Sequence, residues 1–226
     1  MSRPFSFSEG EYYHVFNRGV EKRLVFTNSN DRNRFQKLLY LCNGTEAVHL
    51  STVREIFSGI PIYKIERGKA LAAIGAYCLM GSHFHLLVRE LIGGGVSQFM
   101  QKLTTAYTMY FNIRNQRSGS LFEGRFRARH VDSDNYLKYL YSYIHLNPVS
   151  HIEPDWKNKG VKNMNRAKEH LKNYRHSSFP DYLKIKRSES AILTPGQFPR
   201  YFEKQADFIN EIVGWLEFKP EQPTPY

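Results

Sequence analysis

Cysteine is scarce: the 226 residues hold two, Cys42 and Cys78, far apart and without a C-x-x-C partner. That argues against a thiolate zinc knuckle and suits a reducing cytoplasm, each thiol being expected as a small buried hydrophobe. Long apolar runs are missing as well. No stretch approaches the roughly 18 apolar residues that span a bilayer. The opening Met1-Ser2-Arg3-Pro4-Phe5 lacks the apolar segment of a secretory leader. No internal repeat is present. Acidic residues are outnumbered, with 21 Asp and Glu against 32 Lys and Arg, for a net charge of +11. The expectation is a soluble, globular, cytoplasmic protein whose natural partner is a polyanion.

Aromatics are plentiful, with 15 Tyr and 16 Phe. Aromatic faces interleaved with arginine suit unpaired bases, and the same rings also suit a core. The length allows one well-packed domain with an appendage, or two small ones.

The most informative stretch is Tyr77-Cys78-Leu79-Met80-Gly81-Ser82-His83-Phe84-His85-Leu86-Leu87-Val88-Arg89. Strand alternation puts His83 and His85 on one face and Phe84, Leu86 and Val88 on the other. Two imidazoles side by side on a rigid strand are half of a divalent metal site, although His-x-His spacing alone is a weak motif.

Before it, residues 11–18 read as a strand ending at Gly19, with Tyr13 and Val15 on one face and Tyr12, His14, Phe16 and Arg18 on the other. Asn28-Ser29-Asn30-Asp31 offers caps for a helix with Phe35, Leu38, Leu39 and Leu41 on its apolar side. Residues 60–65 suggest a short edge strand, and 72–89 one long strand bent at Gly81. Ser97 is a candidate cap for a helix bearing Phe99, Met100, Leu103, Tyr107, Tyr110 and Phe111 at helical spacing, read as core. Residues 120–131 read as a strand with Arg125, Arg127 and Arg129 on one side.

The order β-α-β-β-α-β predicts an α+β fold, a ferredoxin-like antiparallel sheet with helices on one face. Residues 1–150 form that domain. Residues 151–226 read as a helical accessory region, polar and basic over 157–170, with an amphipathic helix over 198–216 and a frayed tail from 220.

A helix at 134–146, stopped by Pro148, carries the other informative pattern. Leu137, Leu140, Tyr141 and Ile144 make a docking stripe, and Tyr136, Tyr139, Tyr143 and Asn147 share a neighbouring face. Tyr143 and Asn147 are one turn apart, about 6 Å along the axis. An amide oxygen there could complete a His-His-Asn site, a donor set suited to Mg²⁺ or Mn²⁺ more than to structural zinc. Tyr143 is otherwise one of several tyrosines on a docked helix.

His83-Phe84-His85 followed by Tyr143-Ile144-His145-Leu146-Asn147-Pro148 resembles the single-tyrosine HUH transposases of the IS200-like family, most closely their REP-associated branch. Tyr13-His14-Val15-Phe16-Asn17-Arg18-Gly19, Leu79-Met80-Gly81-Ser82-His83 and Gly119-Ser120-Leu121-Phe122-Glu123-Gly124-Arg125-Phe126 extend the resemblance over roughly residues 11–150. Relatives usually carry Met-Pro-Asn-His where this chain has Met80-Gly81-Ser82-His83, a change in the turn and not in the ligands. The resemblance implies that Tyr143 is a nucleophile, that His83, His85 and Asn147 are metal ligands, and that single-stranded DNA with hairpins is the substrate. Attack by Tyr143 would leave a 5′-phosphotyrosine and a 3′-hydroxyl. The REP-associated branch implies a monomer rather than a homodimer. No base for the phenol proton is evident, since His145 lies about 200° around the helix from Tyr143.

Five arginines fall between 114 and 130, against the single acid Glu123. Arg125, Arg127 and Arg129, with Arg114 and Arg117, are candidate phosphate contacts, and Arg18 is a weaker one. A solvated edge strand defended by charge is the plain alternative. A domesticated module that holds DNA or RNA hairpins without cutting is the competing function. A two-histidine phosphoesterase does not fit, because it needs two separated His-x-Ser/Thr motifs and only His176-Ser177-Ser178 offers one.

Overall fold

The computed structural model of the protein describes residues 6–46, 61–202 and 204–217. Four strands, β1 (Tyr12–Arg18), β2 (Ala72–Leu79), β3 (His83–Glu90) and β4 (Arg127–Val131), form an antiparallel sheet in the order β2-β3-β1-β4. Helix α1 (Ser29–Leu41) follows β1, and α2 (Gly95–Arg114) joins β3 to β4. The expected α+β ferredoxin-like arrangement is what forms.

Asn28 caps α1, its side chain accepting from the Asp31 amide at 3.1 Å. Phe35, Leu38 and Leu39 of α1 and Phe99, Met100, Leu103, Tyr107 and Phe111 of α2 pack on one sheet face, against Tyr13, Val15, Phe84, Leu86 and Val88. Ser97 does not cap α2. The helix starts two residues earlier, after Gly94 in a left-handed conformation (φ 77°), and the Glu90 carboxylate accepts from the Val96 amide at 2.7 Å.

The opposite face is covered by α3 (Asp134–Leu146), whose Leu137, Leu140, Tyr141 and Ile144 meet Ala73, Ala76, Cys78 and Leu87. Four further helices follow: α4 (Trp156–Lys159), α5 (Met164–Asn173), α6 (Phe179–Tyr182) and α7 (Gln205–Glu217). This C-terminal region seals the outer edge of β2. The Leu79 amide donates to the His176 carbonyl (3.0 Å), the Ser178 amide to Tyr77 (2.9 Å) and the Thr194 amide to Ile74 (2.9 Å). A buried Arg187–Asp181 ion pair, with Arg187 also donating to the Tyr77 hydroxyl at 2.9 Å, fastens the same edge. An edge strand that would otherwise expose unpaired amides is thereby closed. Among the described residues, no helix is long and apolar enough to cross a membrane.

Several boundaries differ from expectation. The stretch 72–89 is not one bent strand but a hairpin, reversed at Gly81, whose carbonyl accepts from both Val25 and Phe26 at 3.0 Å. Alternation continues on both sides of the turn, which hides it in the sequence. The strand expected over 120–131 shrinks to Arg127–Val131, because Gly119 and Gly124 take positive φ (82° and 78°) and only an isolated bridge joins Phe122 to Gly19. Ile62–Lys64 is a single 3-10 turn and not an edge strand. The last helix begins at Gln205, while Phe198 turns inward to pack beside Tyr141. Residues 1–5, 60 and 220–226 lie outside the described residues.

Gly75 is the tightest point under α3. The register of β2 and β3 shifts between Ile74 and Ala76, and a Cβ on Gly75 would sit 2.8 Å from the Phe198 ring and 2.9 Å from the Tyr141 hydroxyl. Gly75→Ala is expected to lower unfolding free energy by about 1–3 kcal/mol in denaturant melts. Gly214→Ala, at an exposed helical position with nothing within 4 Å, should raise it by up to ~1 kcal/mol. Equal melts for wild type and Gly75→Ala would contradict this packing.

Candidate active site

Cross-strand partners share a sheet face, so the register decides which side chains meet. Arg18 pairs with His83, Phe16 with His85 and His14 with Leu87; on the other side of β1, Phe16 pairs with Arg127 and His14 with Arg129. His14, Phe16, Arg18, His83, His85, Arg127 and Arg129 therefore share one face, the face on which α3 docks.

There the two candidate ligands stand together, with ring centroids 5.1 Å apart. The Tyr143 ring meets His85 edge-on at 5.5 Å and His14 at 5.9 Å. Ser133 caps α3, accepting from the Tyr136 amide at 3.3 Å, and the docking stripe sets the rotation that brings Tyr143 inward. Asn147, at the helix end, is buried and donates from Nδ2 to the Tyr143 carbonyl at 2.7 Å. That contact leaves Oδ1 as its atom of ligating chemistry.

His14 is the residue that sequence reasoning left without a role. Its Nε2 lies 3.0 Å from Nδ1 of His85, and both rings are buried. A proton on His85 Nδ1, donated to His14, leaves the Nε2 lone pair to face a cation; a proton on His14 Nε2 instead removes it. His83 has a parallel arrangement, with Nδ1 3.1 Å from the Ser82 hydroxyl. Nδ1 of His14 is buried without a hydrogen-bond partner among the described residues, the kind of orphan that gathers at functional sites. The alternation of residues 12–18 already put His14 on this face; only the pairing of β1 with β3 reveals its neighbour.

Burial pushes His83 down to about 4, helped by Lys157, Arg18 and His151. Burial also takes His14 down to about 3, with Arg129 adding to it, and holds His85 well below its ordinary value, with His14, His83 and Lys157 contributing. The imidazoles are therefore neutral at pH 7, the state that can ligate a metal. Among the described residues no group of three or more His, Cys, Asp or Glu gathers as a cage. The structure brings the two candidate imidazole ligands together, whereas the Asn147 side chain is seen on the Tyr143 carbonyl.

His145 points elsewhere. It is buried against the C-terminal region with Nε2 2.6 Å from the Ser178 hydroxyl, and burial lowers it to about 3. Tyr141 is buried in the α3 docking core; Tyr139 lies between Tyr143 (5.9 Å) and Trp215 of α7 (4.8 Å).

The arginines do not form one continuous stripe. Arg125, Arg127 and Arg129 are exposed, although Arg125 precedes β4. Arg18 is paired with Glu123 at 3.1 Å. Arg114 is paired with the buried Asp31, and Arg117 binds the Asn112 side chain and the Ser120 carbonyl, so both are tied to holding α2 and its following loop.

Residues 60–147 match the family model described as Transposase IS200 like, the family that the motifs resemble. The matched segment is less than half of the chain but holds β2, β3, α2, β4 and α3, with His83, His85, Tyr143 and Asn147. A solved structure of a REP-associated tyrosine transposase bound to a REP hairpin is similar at 14% identity, covering 84% of this chain and 89% of that one, with a TM-score of 0.44. That likeness is too low to support a functional statement. No curated protein matches the chain.

The buried histidines make stability depend on pH. An unfolded imidazole takes a proton near 6.5, whereas His83 and His14 in the fold resist until about 4 and about 3. The unfolded chain then binds more protons, so acid favours unfolding. Calorimetric melting temperatures should be level from pH 7 to 8.5 and fall steadily as pH drops from 6.5 toward 4. A level profile from pH 7 to 5 would contradict neutral buried histidines.

Proposed function

We propose that this protein, carrying an IS200-like transposase segment at residues 60–147, is a metal-dependent single-stranded DNA endonuclease and strand transferase that uses Tyr143 as nucleophile. The observation that carries the reading is the Tyr143 ring against His85, with His83 beside it, on the face shared with Arg127 and Arg129.

Tyr143 Oη attacks the phosphorus of one phosphodiester, and the bond from phosphorus to the 3′ oxygen breaks. The DNA is left with a 5′-phosphotyrosine and a 3′-hydroxyl, which takes up a proton as the phenol loses one. The number of phosphoester bonds is unchanged, so another 3′-hydroxyl can reverse the step and join strands without ATP. His83, His85 and Asn147 would hold Mg²⁺ or Mn²⁺, which when bound supplies charge neutralisation and orientation at the scissile phosphate. A phenol is mostly protonated at neutral pH, so the step needs that help.

Arg125, Arg127 and Arg129 are suited to tracking the backbone of hairpin-bearing single strands, with Arg18 at the edge of the site. Tyr143 stands against His85 of the same chain, with His83 beside it, which supports a monomer working in cis. Residues 1–150 carry the chemistry, and 151–226 are the accessory region, of which Lys157 and Trp215 reach the face of Tyr143 and Tyr139.

The test is denaturing-gel analysis of labelled hairpin DNA with Mg²⁺, Mn²⁺ or EDTA. Wild type should give a metal-dependent covalent protein–DNA band. Tyr143→Phe should lose it by roughly 10³-fold or more, and His83→Ala/His85→Ala should lose it in every metal. Tight hairpin binding without cleavage would leave a DNA-holding module instead. Cleavage that survives Tyr143→Phe would move the nucleophile to Tyr136 or Tyr139.

A further inference from the structure

Lys157 reaches the site from outside the family-matched segment. The chain leaves α3 through the 3-10 turn Asn147–His151 and then forms α4, which sets the Lys157 ammonium over the Tyr143 ring, 4.5 Å from its centroid. Its charge is felt at His83 and His85 as well.

What this ammonium lacks is an acid. Lys159, two residues on, pairs with Asp155 at 2.8 Å, and Arg18 across the site pairs with Glu123 at 3.1 Å. Among the described residues Lys157 has no carboxylate partner, and burial pulls its pKa down with no acid acting against it. The groups seen to meet it are Tyr143, whose ring it covers, and His83 and His85, which feel its charge. A partly buried cation over one ring is poorly compensated, since the ring supplies only a quadrupole. The missing complement is an anion that arrives from solution.

We infer that Lys157 is a phosphate-holding residue, binding the DNA phosphate brought to Tyr143. This rests on the reading of Tyr143 as the reacting residue. An ammonium has three donors and no acceptor, so it can bind phosphate oxygens while its stem stays against the ring. The accessory region thus contributes a working group to the site as well as sealing the sheet.

The experiment measures binding of fluorescein-labelled dT20 by the full chain in EDTA, across a salt series. Each phosphate neutralised by a cation contributes about 0.7 to the slope of log K against log salt for single strands. Lys157→Met and Lys157→Gln should each lower the slope by about 0.7, Lys157→Arg should keep it, and Lys159→Met should leave it unchanged. Thermal melts confirm that each variant is folded. A wild-type slope in both neutral variants would overturn the inference and make Lys157 a packing residue on the ring. An equal loss in Lys159→Met would also overturn it, by reducing the effect to general surface charge. Cleavage does not enter this readout, so a chain that binds as predicted but never cuts would sink the nuclease reading and leave the phosphate contact standing.

Discussion

Everything at this site depends on the period of two along β3, a strand with both faces buried. His83 and His85 face α3 while Phe84, Leu86 and Val88 face α1 and α2. A slip of one residue would drive two imidazoles into the aromatic core and turn three large apolar side chains onto the docking face. The seven-residue pairing with β1 fixes the register, and it also brings His14 to His85 and Arg18 to His83. The chemistry of the site is thus set by the same pairing that sets the core.

Burial then gives those residues their electrical character. The histidines stay neutral because their surroundings disfavour charge, and the cations Arg18, Arg129 and Lys157 push the same way. Neutral imidazoles beside the Lys157 ammonium suit ligands that carry negative charge. A phosphodiester brings such oxygens itself. On the proposed reading, substrate and cation would complete one another's coordination.

Much of this was legible in the sequence, because period-two and period-3.6 patterns are local. The α+β class, the apolar faces of α1, α2 and α3 and the shared face of His83 and His85 can be read off the residues, while the place of Tyr143 beside them came from the family resemblance. What escaped was non-local. Gly81 reverses the chain without breaking the alternation, so two strands read as one. His14 acquires a partner only through strand pairing at a separation of 71 residues. Lys157 gave no sign in its spacing, since its place over Tyr143 is set by the turn after α3 and by the docking of the C-terminal region. Arg114 looked like a phosphate contact until the buried Asp31 on α1 took it up. The charge was visible in the sequence, but its partner was not.

The most direct single measurement is tandem mass spectrometry of the protein–DNA adduct, after incubation with Mn²⁺ and a hairpin-bearing single strand, followed by nuclease and protease digestion. The account predicts a nucleotide attached through a 5′-phosphate to the peptide bearing Tyr143, at the tyrosine oxygen. An adduct on any other tyrosine, or intact DNA beside fully folded protein, would contradict it.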